Sequence, residues 1–246
     1  MPGNEIRKCY AHGYFRGEEC PNCGEPGKFM LSDQEVDLLG RIITGVLRHK
    51  PEKYHIEVSE KGYVNIDELV QEIRFHYRRL HFVGPSHIFA IVLTDTKGRY
   101  QISDNKRYVR ATYGHTLEVD LSDLPTDGVP DTLYYPTNSE EFEIFKENGI
   151  LPSDRRWIHL SSSKEKAYIA GLHHFDSPLL IPISTLTVKE NGETIYRAGV
   201  GVFICKFVPP VAVQGYEEYS ADLDEETLKE IRISRERKMS MIDKGW

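Results

Sequence analysis

The first thirty residues of the chain hold four side chains at the spacing of a zinc site. Cys9 and His12 form a C-x2-H pair, and Cys20 and Cys23 follow as a C-x2-C pair. Thiolates and imidazoles are ligands that zinc prefers, and four protein ligands complete its coordination, so such a site is structural. The segment has few large apolar side chains and needs a cross-link to fold. We therefore predict a zinc-ribbon-like segment over residues 1–30; the alternative is a disordered, reduced tail.

Length and charge limit what the rest of the chain can be. Its 246 residues suffice for one large or two small domains. The formal net charge of −7 argues against general coating of nucleic acid, although it is compatible with a local basic cleft. The sequence shows neither an apolar membrane span nor a signal-peptide pattern. We expect a cytoplasmic protein with no membrane partner and no obligate protein partner, and we expect Cys205 to lie in a core.

Residues 31–118 have the element order of a winged helix. Ser32 and Glu35 form a capping box for a helix over residues 31–50, whose apolar residues recur on one face. The pattern then predicts a short strand, two helices and a hairpin, over residues 62–66, 67–80, 85–94 and 99–110. Residues 74–81 mix cations with aromatic side chains, which is typical either of a nucleic-acid surface or of the solvated face of a helix.

Arginines at two places in this lobe are candidate phosphate ligands. Asp104-Asn105 predicts a two-residue hairpin turn, because both residues tolerate a positive φ, and Arg110 lies on the returning strand. A guanidinium presents a planar fork that matches phosphate oxygens. Arg48 and His49 end the first predicted helix. In the alternative interpretation, Arg110 lies on the solvent-exposed face of a strand, and Arg48 and His49 only interact with the helix dipole at the C-terminal end of their helix.

A second lobe is predicted over residues 119–246, because the polar, acidic stretch 117–130 has the composition of a linker. Strands and helices then alternate. The predicted strands are 131–135, 157–160, 179–183 and a region over 194–211, and the predicted helices are 139–148, 164–171 and 224–241. We expect Ser139 to cap the first of these helices and Gly149 to stop it.

Several motifs together resemble those of the NAD-dependent RNA 2′-phosphotransferases. In order, they are Leu47-Arg48-His49, Lys97-Gly98-Arg99-Tyr100, Arg110-Ala111-Thr112-Tyr113-Gly114-His115-Thr116, Leu133-Tyr134-Tyr135-Pro136-Thr137, Gly149-Ile150-Leu151, Ile158-His159-Leu160-Ser161 and Val208-Pro209-Pro210. The resemblance runs from residue 31 to about residue 215. It does not cover the zinc segment or the final helix.

The resemblance implies an α+β protein with three parts: the zinc-binding segment, a winged-helix RNA-binding lobe over 31–118, and an ADP-ribosyltransferase-like lobe with a central β-sheet over 119–246. It implies that NAD is a co-substrate and that the partner is RNA, such as tRNA, with an internal 2′-phosphate. The phosphate attacks the nicotinamide ribose and expels nicotinamide. The neighbouring ribose hydroxyl of the ADP-ribosylated RNA then attacks the phosphate, which releases ADP-ribose 1″,2″-cyclic phosphate.

The same resemblance assigns roles to individual residues. The catalytic set is Arg48, His49, Arg110 and His173; the cofactor-binding set is Tyr135, Thr137, His159, Ser161 and Gly171. Arg48 and Arg110 would clamp the phosphate, and His49 would hold a ribose hydroxyl and pass its proton.

Two positions depart from the family pattern. Tyr135-Pro136 replaces a usual His-Gly, and His173 replaces the arginine of a Gly-x-Arg motif. These departures keep two alternatives open. One is a divergent ADP-ribosyltransferase that acts on nucleic-acid ends, and the other is a non-catalytic zinc and winged-helix protein that binds nucleic acid.

Overall fold

The computed structural model describes residues 3–153 and 155–242, with side chains up to residue 236. These residues form two compact units. The first unit contains residues up to 124 together with 155–156 and 198–200, and the second unit contains the other described residues. Within the described part of the chain, no helix combines the length and apolarity needed to cross a bilayer.

The first unit begins with a small antiparallel sheet in the order β2-β1-β3. Its strands are β1 (Ile6–Cys9), β2 (Gly13–Arg16) and β3 (Lys28–Leu31). A separate cluster of buried side chains in this segment consists of Cys9, Phe15 and Cys20. Two of these three are predicted metal ligands, whereas Ile6 and Leu31 of the same sheet are buried in the large core of the first unit.

Helix α1 (Asp33–Arg48) starts at the predicted capping box. The Ser32 side chain accepts from the Glu35 N–H, and the Glu35 carboxylate accepts from the Ser32 N–H at 2.8 Å. The predicted apolar face is buried in the unit's core: Val36, Leu39, Ile43, Val46 and Leu47. The helix is confirmed, and Pro51 opens a short 3-10 turn (Pro51–Tyr54) beyond it.

The remaining elements of the first unit pack on α1 around one core. They are β4 (Val64–Asn65), α2 (Ile66–His76), α3 (Pro85–Leu93), β5 (Tyr100–Ile102) and β6 (Tyr108–Ala111), with sheet order β4-β6-β5. The helix predicted over 67–80 is too long. It ends at His76 because Tyr77 adopts φ −128° and ψ 89°, and the next three residues form a 3-10 turn (Arg78–Leu80).

The hairpin between β5 and β6 is confirmed, but its predicted two-residue turn is wrong. The N–H of Ser103 donates to the Tyr108 carbonyl at 3.0 Å, so four residues lie between this hydrogen-bonded pair. The positive φ falls on Lys106, at 58°, and not on Asp104-Asn105. Asn105 instead closes the loop through its side chain, which accepts from the Arg107 N–H at 3.0 Å.

The second unit contains a central antiparallel sheet whose strand order is β10-β11-β8-β7-β9-β12, of which residues 198–199, at the end of β10, are grouped with the first unit. Its strands are β7 (Thr132–Thr137), β8 (Ile158–Ser161), β9 (Leu179–Ser184), β10 (Tyr196–Gly199), β11 (Val202–Cys205) and β12 (Glu217–Glu218). Its helices are α4 (Ser139–Asn148), α5 (Lys164–Leu172), α6 (Thr185–Glu190) and α7 (Glu225–Ile242). The molecule is therefore mixed α and β, as the sequence indicates.

Two details in the second unit differ from expectation. The N-cap of α4 is Asn138, whose side chain accepts from the Glu141 N–H, and Ser139 is the first helical residue. Helix α6 is short and has no sequence signal strong enough to predict it. The strand region over 194–211 divides into β10 and β11 at Gly201, which has φ +73°, and a glycine within a strand region is where such a bend is expected. Gly149 ends α4 at φ +75°, as predicted. Cys205 is buried, also as predicted.

Candidate metal centre and phosphate-binding site

The four predicted zinc ligands converge in the first unit. Cys9 ends β1, His12 lies in the turn to β2, and the N–H of Gly24 donates to the Cys20 carbonyl to close the C-x2-C turn. The Cys9 Sγ lies 3.5 Å from the His12 Nδ1 and 3.8 Å from the Cys23 Sγ, and the Cys20 Sγ lies 3.6 Å from the same nitrogen.

These distances fit zinc. A tetrahedral ion with Zn–S bonds of about 2.3 Å and Zn–N bonds of about 2.0–2.1 Å separates two sulfurs by about 3.8 Å and a sulfur and nitrogen by about 3.5–3.6 Å. The backbone N–H of His12 also lowers the pKa of the Cys9 thiol, which favours the thiolate that binds metal. With four protein ligands the site leaves no position for a substrate.

A second site lies at the C-terminal end of α1, where Arg48 is 9% exposed. Its guanidinium packs 4.6 Å from the ring centre of Tyr113. Burial lowers the pKa of Arg48 and raises the pKa of the Tyr113 hydroxyl, yet arginine stays charged at neutral pH. Among the described residues, no carboxylate pairs with Arg48, and its Nε and Nη2 have no hydrogen-bond partner. A buried cation of this kind is costly unless an anion binds it.

The loop that follows β6 holds this site together. The Thr116 N–H donates to the Arg48 carbonyl at 3.0 Å, and the Thr116 Oγ1 lies 3.2 Å from the His49 Nδ1. Gly114 has φ +83°, and a Cβ on it would lie 2.9 Å from the Arg48 Nη1. The structure therefore brings the Arg48-His49 and Gly-His-Thr motifs together, although they are far apart in the sequence.

Sequence reasoning missed a second arginine at this loop. The Arg155 Nη1 donates to the Gly114 carbonyl at 2.5 Å and would lie 3.0 Å from a Cβ on that glycine. Two guanidinium groups thus meet at one glycine. No spacing rule could relate Arg155 to Arg48, and the only local signal was an Arg-Arg pair directly before a predicted strand.

Arg110 has different surroundings from those expected of a phosphate ligand. It is 1% exposed, and each of its five N–H groups has an acceptor. Its Nε and Nη2 donate to the Gln101 side chain, Nη1 and Nη2 donate to the Asp123 carboxylate, and Nη1 also donates to the Lys61 carbonyl. In this structure Arg110 is the centre of an intramolecular ion pair, so a phosphate would have to displace Asp123.

In the second unit, four of the predicted cofactor-binding residues lie on the neighbouring strands β7 and β8. Among the described residues, these strands pair at one position, Tyr134 with Ser161. Continuing this register sets Tyr135 opposite Leu160 and Thr137 opposite Ile158, which are core residues, so Tyr135 and Thr137 share the core-facing side of the sheet. His159 and Ser161 alternate with Ile158 and Leu160 and lie on the other face. Tyr135, His159 and Ser161 are partly exposed, whereas Thr137 is fully buried.

The other two predicted residues of this unit lie at the end of α5. A Cβ on Gly171 would lie 2.6 Å from the Pro178 Cβ and 2.8 Å from the Pro136 Cβ, so close packing already requires glycine there. His173 is the C-cap of α5, in helical geometry. Pro136 is compatible with its strand because pairing to β8 occurs at Tyr134 and pairing to β9 continues through Leu180.

Comparisons with known proteins agree with the motifs. The family model described as "RNA 2'-phosphotransferase, Tpt1 / KptA family" matches residues 33–207, which is more than half of the chain. Proteins of Thermoplasma acidophilum and Thermoplasma volcanium, each named "Probable RNA 2'-phosphotransferase", are 41% identical to it. The alignments cover 92% of this chain and 94% of the first relative, and 95% of this chain and 97% of the second.

A more distant relative, "Probable RNA 2'-phosphotransferase 1" of Archaeoglobus fulgidus, is 37% identical over 83% of this chain and 92% of its own length. The chain belongs to the RNA 2′-phosphotransferase (Tpt1/KptA) family. The resemblance drawn from the motifs is thus confirmed. The zinc-type segment lies outside the residues that the family model matches.

Proposed function

We propose that this protein is an NAD-dependent transferase that removes an internal 2′-phosphate from RNA. Membership of the family supports the substrate class. The observation that carries the proposal is Arg48, a buried guanidinium with two nitrogens unbonded in the described structure and no carboxylate partner. A phosphate dianion supplies the charge and the acceptors that such a group lacks.

In the proposed reaction, NAD accepts the phosphate in two steps. A 2′-phosphate oxygen attacks the C1″ carbon of the nicotinamide ribose, and the bond from that carbon to nicotinamide breaks. The 2″-hydroxyl then attacks phosphorus, the bond to the RNA 2′-oxygen breaks, and that oxygen takes a proton. The products are nicotinamide, ADP-ribose 1″,2″-cyclic phosphate and RNA with a 2′-hydroxyl.

Within the first unit, Arg48 orients the phosphate and neutralises charge that builds on it in the second step. The Thr116 hydroxyl orients His49, whose imidazole holds the ribose hydroxyl and transfers its proton. Arg155 adds positive charge at Gly114. Arg110 acts as a further phosphate ligand only if it exchanges Asp123 for the phosphate.

We also assign a role to each unit. The first unit would be a winged-helix lobe that binds RNA, such as tRNA, and the order of its helices and hairpin supports this assignment. The second unit would be ADP-ribosyltransferase-like and would bind NAD through Tyr135, Thr137, His159, Ser161 and Gly171, with His173 in place of the family's arginine. Support comes from His159 and Ser161, which are partly exposed and lie on the same face of β8. The pairing of Tyr134 with Ser161 sets Tyr135 and Thr137 on the other face of the sheet.

The test is a product analysis. The protein is incubated with NAD and an oligonucleotide that carries one internal 2′-phosphate, and both RNA and nucleotide products are resolved. We expect the 2′-phosphate to be lost and the cyclic phosphate to appear. Arg48→Lys keeps the positive charge but loses the planar guanidinium that binds two phosphate oxygens, so we expect the rate of 2′-phosphate removal to fall about 10²–10³-fold. Arg41→Lys, on the exposed face of the same helix, is the control and should keep the wild-type rate.

The presence of histidine at position 173, where the family has arginine, favours one alternative function. In it, ADP-ribose is transferred to nucleic-acid ends and the second step, which forms the cyclic phosphate, does not follow. Histidine is shorter than arginine and mostly uncharged at neutral pH, so it stabilises the second step less. ADP-ribosylated RNA that persists, without cyclic phosphate, would identify this alternative. RNA binding with no NAD-dependent product would instead indicate a binding protein.

A further inference from the structure

A second cluster of metal-binding side chains lies in the first unit, apart from the Cys/His site. Its members are His55, Glu72 and His76, and one ligand atom from each lies within 4.8 Å of the other two. Glu72 and His76 are one turn apart on α2, and His55 directly follows the 3-10 turn after α1. The cluster includes none of the residues assigned to the proposed reaction.

The spacing of the two helical ligands fits a small transition-metal ion. The His76 Nε2 lies 3.4 Å from the Glu72 Oε2. Zinc bonds of about 2.0–2.1 Å to nitrogen and oxygen set tetrahedral ligand atoms about 3.3–3.4 Å apart. A carboxylate and an imidazole at i and i+4 on a helix can bind one ion because they lie on the same face.

The surrounding residues hold two of the three ligands in place. The His76 ring packs edge-on against Tyr54, with centroids 5.1 Å apart, and the Tyr54 hydroxyl lies 2.7 Å from the Tyr77 hydroxyl. His55 adopts φ +52°, a left-handed conformation that is uncommon outside glycine. Its N–H donates to the Glu52 carbonyl, so this backbone position is part of the turn that presents the imidazole.

We propose that His55, Glu72 and His76 bind a second zinc-class ion. Two imidazoles and one carboxylate suit zinc, nickel or copper rather than magnesium or calcium. The three protein ligands leave a position for water. The ion would cross-link the segment after α1 to helix α2 at the protein surface. The contrasting interpretation is an ordinary Glu–His pair with His55 nearby.

The test uses the full chain, loaded with zinc and dialysed, and measures further zinc uptake by calorimetry. We expect two equivalents in all, one at the Cys/His site and a weaker one at the new site. Cobalt distinguishes them, because the thiolate site shows sulfur-to-cobalt charge-transfer absorption and the His/Glu site does not. A total of one equivalent in the wild-type protein, with no further uptake in the calorimeter, overturns the proposal.

Two variants remove ligands without disturbing the fold. His55→Gly keeps the left-handed conformation, and His76→Phe keeps an aromatic ring against Tyr54. Each should weaken the second equivalent by about tenfold or more and leave the first unchanged. His81→Phe, at an exposed histidine outside the cluster, is the control and should bind as wild type. Undiminished second-site binding in both ligand variants would overturn the assignment.

Discussion

Gly114 offers a sharp test of the proposed phosphate site, because one added methyl group would reach two guanidinium groups. The residue has φ +83°, and a Cβ there would lie 2.9 Å from the Arg48 Nη1 and 3.0 Å from the Arg155 Nη1. Carbon is not found so close to these atoms without movement. In Gly114→Ala, we therefore expect the ends of both arginines to move away from the loop.

The expected effect on stability is modest, and the expected effect on catalysis is large. A left-handed backbone conformation in alanine costs roughly 1–2 kcal/mol. The displaced atoms are the ends of long side chains, which can shift at little further cost. For catalysis, the displacement moves the Arg48 guanidinium away from the phosphate. Loss of one hydrogen-bond donor to the developing charge costs about 2.7–4 kcal/mol of transition-state stabilisation, or about 10²–10³ in rate.

The matched control is Gly192→Ala. Gly192 has nearly the same φ, +87°, and a Cβ there would meet nothing within 4 Å. Both variants carry the same backbone strain, so thermal denaturation should show similar losses of stability. Single-turnover conversion of the 2′-phosphorylated oligonucleotide should be slow in Gly114→Ala and normal in Gly192→Ala. Equal rates in the two variants would show that the loop does not position the phosphate ligands.

Three further outcomes follow from the described contacts. Cys23→Ser should abolish zinc binding at the predicted N-terminal site and lower the melting temperature, whereas Cys205→Ser should keep that binding in metal analysis, because Cys205 is buried in the core of the second unit and is not one of the four clustered ligands. Asp123→Asn should lower the free energy of unfolding by about 1–3 kcal/mol in urea titrations, because buried Arg110 loses its carboxylate partner; an unchanged midpoint would contradict this. Burial lowers the pKa of His87 from its ordinary 6.5. The folded protein therefore favours the neutral His87 ring. The contribution of this ring to folding stability is present above about pH 6.5 and is lost as the pH falls through the lower pKa of the folded state. His87→Gln should lose less stability than wild type between about pH 7.5 and pH 5, and equal losses would rule out this contribution.

Local signals were sufficient for most secondary structure. The capping box at Ser32 and the apolar periodicity behind it predicted α1 to within two residues at each end, because caps and periodicity act over one or two turns. The errors came where two local rules compete. Asn138 and Ser139 are both good caps, and the structure uses the first. At the β5–β6 turn, the Asn105 side chain accepts a hydrogen bond that closes the loop, and the positive φ falls on Lys106.

The zinc-type site could also be predicted from the sequence, because its ligands come from two short turns whose spacing nearly sets their geometry. The same holds for the family, which a series of motifs in order was enough to indicate.

The environment of each arginine could not be predicted in this way. Arg48 and Arg110 look equally suitable as phosphate ligands in the sequence. Folding buries Arg48 against Tyr113, with no carboxylate partner among the described residues, and pairs Arg110 with Asp123. Arg155 joins the first of them from a distant part of the chain. The charge state and available donors of a buried group depend on which side chains surround it, and those neighbours come from segments that only the folded chain brings together.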